Sequence, residues 1–205
     1  MEEHHLPRFL INLFGSFRLV DNSGLEINFK NRKSKAILAI LLASKDYRET
    51  RSKIWSLLWS RSPQEQASTS FRSALSALRK SLNFDESHVL ESRETDILID
   101  KRYFLTDLDR ALKVSTAEIE ELYSVNFSSE MYNDLDGLDP MFDEWLYYTR
   151  LEVKNRLSER ITKLVASLTL DNPDAIELIC SGLLSLDPYN ETAIKTLILS
   201  RIQHD

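Results

Sequence analysis

Four glycines in 205 residues leave no room for a glycine-rich phosphate cradle, and neither G-x-x-x-x-G-K nor G-x-G-x-x-G occurs. No serine stands in a G-x-S-x-G turn. The single cysteine, Cys180, excludes an intramolecular disulfide and fits a reducing compartment. It lies in the apolar run AIELICSGLLSL and reads as a small buried hydrophobe. Of the four histidines, His4 and His5 open the chain, His204 nearly closes it, and His88 precedes a hairpin; none has a second ligand at zinc spacing. The longest apolar run, AILAILLA at 36–43, is far short of a membrane span. The opening MEEHHLPRF lacks a basic region followed by an apolar one, so a cytoplasmic protein is expected. The acid-rich DLDGLDPMFDE at 134–144 fails as a calcium loop: counted from Asp134, glycine falls fourth rather than sixth, and Trp145 stands where the closing Glu belongs. Together these absences argue against catalysis, a metal or a cofactor.

What the chain does hold is an uneven charge. The net charge is −6, yet residues 1–105 carry 17 Lys and Arg against 13 Asp and Glu, and residues 106–205 carry 9 against 19. Within 30–80 there are 12 basic residues and 3 acidic ones. A basic window on an acidic chain is the footprint of a module that meets a polyanion.

The order of elements sharpens this. RFLINLFGSFRLV is β-rich with a bend at Gly15, DNSG at 21–24 is a turn, and LEINF alternates Leu25, Ile27 and Phe29 with polar residues; two or three strands of an antiparallel sheet are expected. RKSKAILAILLAS, from Arg32 to about Ser44, reads as a buried helix. TRSKIWSLLW follows as a second, with Thr50 or Ser52 as N-cap and Ile54, Trp55, Leu57 and Leu58 inward. SRSP breaks the chain at Pro63 and a third helix begins. HVLES, the polar turn RET and DILID then read as a hairpin.

The third helix contains STSFRSALSALRKSL, residues 68–82, rich in serines that cost helix propensity. On an ideal helix, Ala67, Phe71, Ala74, Leu75, Leu78 and Leu82 fall within about 100° and form a core stripe. The opposite side presents Gln64, Gln66, Thr69, Arg72, Ser73, Ser76, Arg79 and Lys80, with no acid between Glu65 and Asp85. Short hydroxyl side chains let a helix backbone approach a groove wall, while Arg and Gln reach base edges. A solvated, serine-rich face is the plain alternative. Strands, three helices and a hairpin in this order make a winged helix-turn-helix, whose last helix enters the major groove. The candidate DNA contacts are Arg51, Gln66, Thr69, Arg72, Ser73, Ser76, Arg79, Lys80, and Arg93 at the hairpin tip, which is either a minor-groove or phosphate contact or simply exposed.

RKSKAILAILLAS, RSKIWSLLWSRSP and FRSALSALRKSL resemble the matching segments of the OmpR-like winged-helix domains in bacterial transcriptional activators of the SARP type. Leu58, Trp59 and Pro63 form the Leu-Trp-x-x-x-Pro run between the second and third helices. YFLTDLDRAL, LYSVNF and FDEWLYYTRLEVKNRL resemble the bacterial transcriptional activator domain that follows in that family. The wing turn departs from the pattern: SRETDILI has no glycine where relatives usually carry one. The resemblance implies an α+β winged-helix domain over 1–104 and an all-α, tetratricopeptide-like domain over 105–205.

The second half is helical by pattern. Residues 141–170 read as one long amphipathic helix, with Phe142, Trp145, Leu146, Leu151, Val153, Leu157, Ile161, Leu164, Val165 and Leu168 as its apolar positions. Two shorter helices follow, split at Asp187-Pro188 with Asn190 as N-cap, and helix, LDP, helix looks like tetratricopeptide units. Relatives carry further repeats, so the chain reads as a short member or a piece of a longer protein.

Two functions remain open. One is a transcriptional regulator, an activator as the resemblance implies, that binds promoter DNA, pairs as a homodimer on direct repeats and touches RNA polymerase. The other is a protein-interaction scaffold with a winged helix that does not bind DNA. The basic window favours the first, and a fragment ending near Lys101 is expected to keep DNA binding while losing assembly.

Overall fold

The computed structural model describes residues 7–82 and 89–204, without the side chains at 117, 120, 123 and 124. His4, His5 and His88 lie outside the described residues. Two short strands, β1 (Phe9–Asn12) and β2 (Arg18–Asp21), pair antiparallel. Alternate burial of Phe9, Ile11 and Leu19 sets their register toward the core. The segment Leu25–Phe29 does not become a third strand. It makes one isolated bridge, Val20 with Glu26, and Leu25 stays exposed. The Asp21 carboxylate accepts from the backbone N–H of Ser23 and Leu25, and this tight turn spends the residues that a longer pairing would use.

Helix α1 (Arg32–Ala43) starts at Asn31, whose side chain accepts from the Ser34 N–H. Its residues 36–41 are buried without a break. Strand β3 (Arg48–Thr50) leads into α2 (Arg51–Leu58), capped by Thr50, which accepts from the Lys53 N–H. Helix α3 (Gln64–Leu82) buries Ala67, Phe71, Ala74, Leu75, Leu78 and Leu82, the same six residues the helical period selects. Strands β4 (Leu90–Ser92) and β5 (Asp96–Ile99) form a hairpin, and β3 joins it in an antiparallel sheet of order β3-β5-β4.

Strand β6 (Phe104–Thr106) then returns to the first sheet and pairs with β1 in parallel, Phe9 beside Phe104. This sheet, ordered β2-β1-β6, is therefore mixed rather than antiparallel as expected. The physical reason is the crossover: three helices and a hairpin separate β1 from β6, long enough to bring the chain back in the same direction. The 104/105 position falls inside β6, which continues into α4 (Asp107–Lys113) through a capping box between Thr106 and Asp109.

The rest is helical: a 3-10 segment over Thr116–Ser124, a 3-10 turn over Asn133–Leu135, then α5 (Pro140–Ala166), α6 (Pro173–Leu186) and α7 (Glu191–His204). Asp139 and Asn172 cap α5 and α6, each followed by proline at the first helical position, where its missing N–H costs nothing. Asn190 accepts from the Ala193 N–H and caps α7. Cys180 is fully buried, and burial pushes its thiol up to about 11. Leu151, expected in the core, is instead exposed on α5. No helix among the described residues is long and apolar enough to cross a membrane.

Candidate nucleic-acid interface

Helix α3 is held from behind by α1. The Ser34 hydroxyl lies 2.9 Å from the Ala74 carbonyl, a buried contact that needs small residues on both helices. At its start, the corner after α2 packs the Trp59 ring edge-on against Phe71, with centroids 5.8 Å apart. The Lys33 ammonium sits 4.6 Å from the centre of the Trp59 ring and donates to the Leu58 carbonyl. Burial lowers the pKa of Lys33, a shift opposed by nearby Asp139.

The outer face of α3 is open. Gln64, Gln66, Thr69, Arg72, Ser73, Ser76, Arg79 and Lys80 are all exposed. From Gln66 to Lys80 they extend about 21 Å along the axis. Arg72, Arg79 and Lys80 form no ion pair with a described residue. The Thr69 hydroxyl turns back to the Glu65 carbonyl at 3.2 Å. The structure thus brings seven of the nine sequence candidates, Gln66 to Lys80, onto one helix face.

The other two sit at the hairpin. Arg51 is already engaged: its guanidinium donates to the Arg93 carbonyl at 3.0 Å and the Ser92 hydroxyl at 2.7 Å, over the Phe71 ring. Its backbone N–H donates to the Thr95 carbonyl. Arg51 therefore ties α2, α3 and the turn together, and its charge is spent on that brace. Arg93, in the turn, is exposed and pairs with Glu91 of β4 at 3.1 Å. The missing wing glycine has a simple account. None of residues 93–95 adopts a positive φ, and the turn closes through Arg93 N–H to the Asp96 carbonyl at 2.8 Å. Asp96, buried, is paired with Arg48 on the neighbouring strand.

Arg61 was not singled out by sequence reasoning. It stands exposed in the corner joining α2 to α3 and forms no ion pair with a described residue; only the basic balance of the 30–80 window signals it.

The acid-rich segment that fails as a calcium loop has a different use. Asp134 accepts from the Phe17 N–H at 2.8 Å and from Lys35 at 2.6 Å. Arg32 donates to the Asp134 and Asp136 carbonyls. Asp139 accepts from both the N–H and the hydroxyl of Ser60, in the corner ahead of α3. Arg150 of α5 closes the segment from its other side through the Met131 carbonyl and the Asp136 carboxylate. Further back, buried Asp107 accepts from the N–H groups of Leu13, Phe14 and Leu108, and desolvation raises its pKa against the pull of those bonds. Asp107, Asp134 and Asp139 of the second half are thus each matched to donors of the first. Among the described residues no group of three His, Cys, Asp or Glu could hold a metal ion.

No protein-family model matches the chain, and no curated protein does. Among solved structures, Mycobacterium tuberculosis EmbR in complex with a low affinity phosphopeptide is similar, with a TM-score of 0.70 at 20% identity. The likeness covers 97% of this chain and 55% of the EmbR chain, so this chain spans little more than half of that protein's length. At this identity the likeness is one of architecture: a small β-sheet region followed by several helices, arranged as in EmbR.

Proposed function

We propose that the chain is a sequence-specific transcriptional regulator, an activator of the SARP type, acting in the cytoplasm on double-stranded promoter DNA. In this reading, residues 1–104 form an OmpR-like winged helix and residues 105–205 a tetratricopeptide-like activator domain. The observation that carries it is the outer face of α3: three cations with no ion-pair partner among the described residues, two glutamines and several hydroxyls along about 24 Å, with no acid in the helix after Glu65. A solvated face needs no such one-signed charge. The EmbR-like architecture and the sequence resemblance point the same way.

Gln66, Thr69, Arg72 and Ser73 lie in the earlier turns and read base edges, with Arg72 bidentate to a guanine. Arg79 and Lys80, roughly 10–12 Å further along the axis, meet the backbone at the groove wall. Arg93 and Arg61 add phosphate contacts, while Arg51 braces the wing. The acidic second half, which repels phosphate, supplies contacts to RNA polymerase or to a second protomer. No catalytic step is assigned to any residue, and no cofactor is required.

The test is the salt dependence of DNA binding by the whole chain, measured by fluorescence anisotropy. About 4–6 phosphate contacts give a log–log slope near −4 to −5. A slope of zero on every duplex would favour the interaction-scaffold reading.

A further inference from the structure

Leu151 and Tyr147, one turn apart on α5, are 44% and 63% exposed. They line a concavity of about 480 Å³. Phe127 lines it as well and meets Phe14 edge-on, with centroids 5.9 Å apart. Phe127 reaches this place because α6 carries Gly182 against it: a Cβ there would stand 3.0 Å from the ring. Leu186, buried at the end of α6, completes the apolar lining. The concavity thus draws on the β1–β2 connection, the 127–131 segment, α5 and α6. It lies on the seam between the two halves, where the Gly15 N–H donates to the Glu130 carbonyl at 3.0 Å. His204 is at the other end of α6, its ring nitrogen 2.7 Å from the Leu170 carbonyl.

The charges around the concavity are unequal in their engagement. Arg150 donates to the Met131 and Tyr132 carbonyls and pairs with Asp136 and Glu130. Glu130 therefore already has its cation. Lys154, one turn further along α5, is exposed and forms no ion pair with a described residue. An occupant with an apolar body finds aromatic walls, and a negative group on it finds the one lining cation without such a partner.

The geometry points to this concavity as a binding site for a small apolar acid, its ring or branched body between Phe127, Tyr147 and Leu151 and its carboxylate toward Lys154. The volume falls in the range of small-molecule sites, about 300–1,000 Å³. A protein partner needs roughly 800 Å² of contact on each side. The site goes beyond DNA recognition, since α3 contributes no residue to it. Because Phe14 belongs to the first half and the other walls to the second, a bound acid clasps the two halves together and raises the melting temperature.

Fluorescence titration of the full chain with 8-anilinonaphthalene-1-sulfonate, an aromatic anion that brightens on leaving water, tests the assignment without DNA. The expected result is saturable binding at one site per chain, displaced by 2-naphthoate and much less by neutral 2-naphthylmethanol. Leu151→Asp weakens probe binding at least about tenfold. Lys154→Glu weakens it about threefold, while Lys154→Arg retains it. Both positions are exposed, so circular dichroism and the melting temperature of the free variants stay those of the wild type. Ile198→Asp, on the exposed face of α7, leaves binding unchanged. Absence of saturable binding overturns the assignment, as does wild-type affinity in Leu151→Asp. Equal affinities in Lys154→Glu and Lys154→Arg, or a loss in Ile198→Asp that matches the loss in Leu151→Asp, overturn it equally.

Discussion

Replacing Asp107 measures how firmly the two halves of the chain are fused. Its carboxylate is buried and accepts from the Leu13 N–H at 3.0 Å, the Phe14 N–H at 3.2 Å and the Leu108 N–H at 2.9 Å. Asp107→Ala strips the acceptor from all three, the first two where the chain leaves β1. Each unsatisfied buried donor costs roughly 1–3 kcal/mol. Release of a desolvated carboxylate offsets part of this, leaving a net loss of about 2–4 kcal/mol. With a urea m-value near 2 kcal/mol/M, the midpoint falls by about 1–2 M at constant m. Asp107→Asn keeps one acceptor oxygen and loses less. Desolvation raises the folded-state pKa above the ordinary carboxylate value, so the stabilising contribution of this group is complete below that ordinary value and fades as pH rises through the folded pKa. Asparagine does not titrate. The gap between wild type and Asp107→Asn is therefore widest near pH 3 and narrower at pH 7. A loss below about 0.5 kcal/mol for Asp107→Ala, or two separate unfolding transitions in the wild type, would refute this account.

Other perturbations follow from the same geometry. Arg72→Ala should weaken a cognate duplex far more than a scrambled one, by roughly 1–3 kcal/mol of lost discrimination, whereas Lys80→Ala should weaken both alike and flatten the salt slope by about one unit; titration of both duplexes at two salt concentrations separates the roles. Arg51→Ala should lower thermal stability by about 1–2 kcal/mol through the two lost bonds to the β4–β5 turn, with a DNA affinity loss that ignores sequence; a loss specific to cognate DNA would make Arg51 a base reader instead. A fragment ending at Lys101 lacks β6, the Phe104 ring stacked 5.3 Å from Phe9, and Asp107. It should show no cooperative melting by circular dichroism, contrary to its sequence-based expectation as a free-standing DNA binder.

The core stripe of α3 was legible because a single helix period of 3.6 governs all six of its positions, and the caps at Thr50 and Asn190 because their signals are local. The β1–β6 pairing was not, since Phe104–Thr106 is three residues long and its partner lies some 95 positions earlier. Nor could the segment after Asp134 show its purpose. Its carboxylates answer Lys35 and Ser60 and its carbonyls answer Arg32, and pairings at that distance leave no periodic trace. Arg51 carries the right charge in the right window, yet only the structure reveals that the Arg93 carbonyl and Ser92 already occupy it. On α7 the apolar positions were visible, but not that Ala193, Ser200 and Leu197 would turn inward while Ile194, Ile198 and Ile202 stay exposed.

Strand β6 is hydrogen-bonded to β1 and runs straight into α4, so there is no slack chain between the part that would grip DNA and the part that would reach beyond it. A tethered module can follow its target when the spacing on the duplex changes. Here, inserting about five base pairs, half a helical turn, between the α3 site and whatever the helices meet would carry the two to opposite faces of the duplex. The direct passage from β6 into α4 offers no joint with which to follow, and promoter output should rise and fall with the helical phase of the insertion.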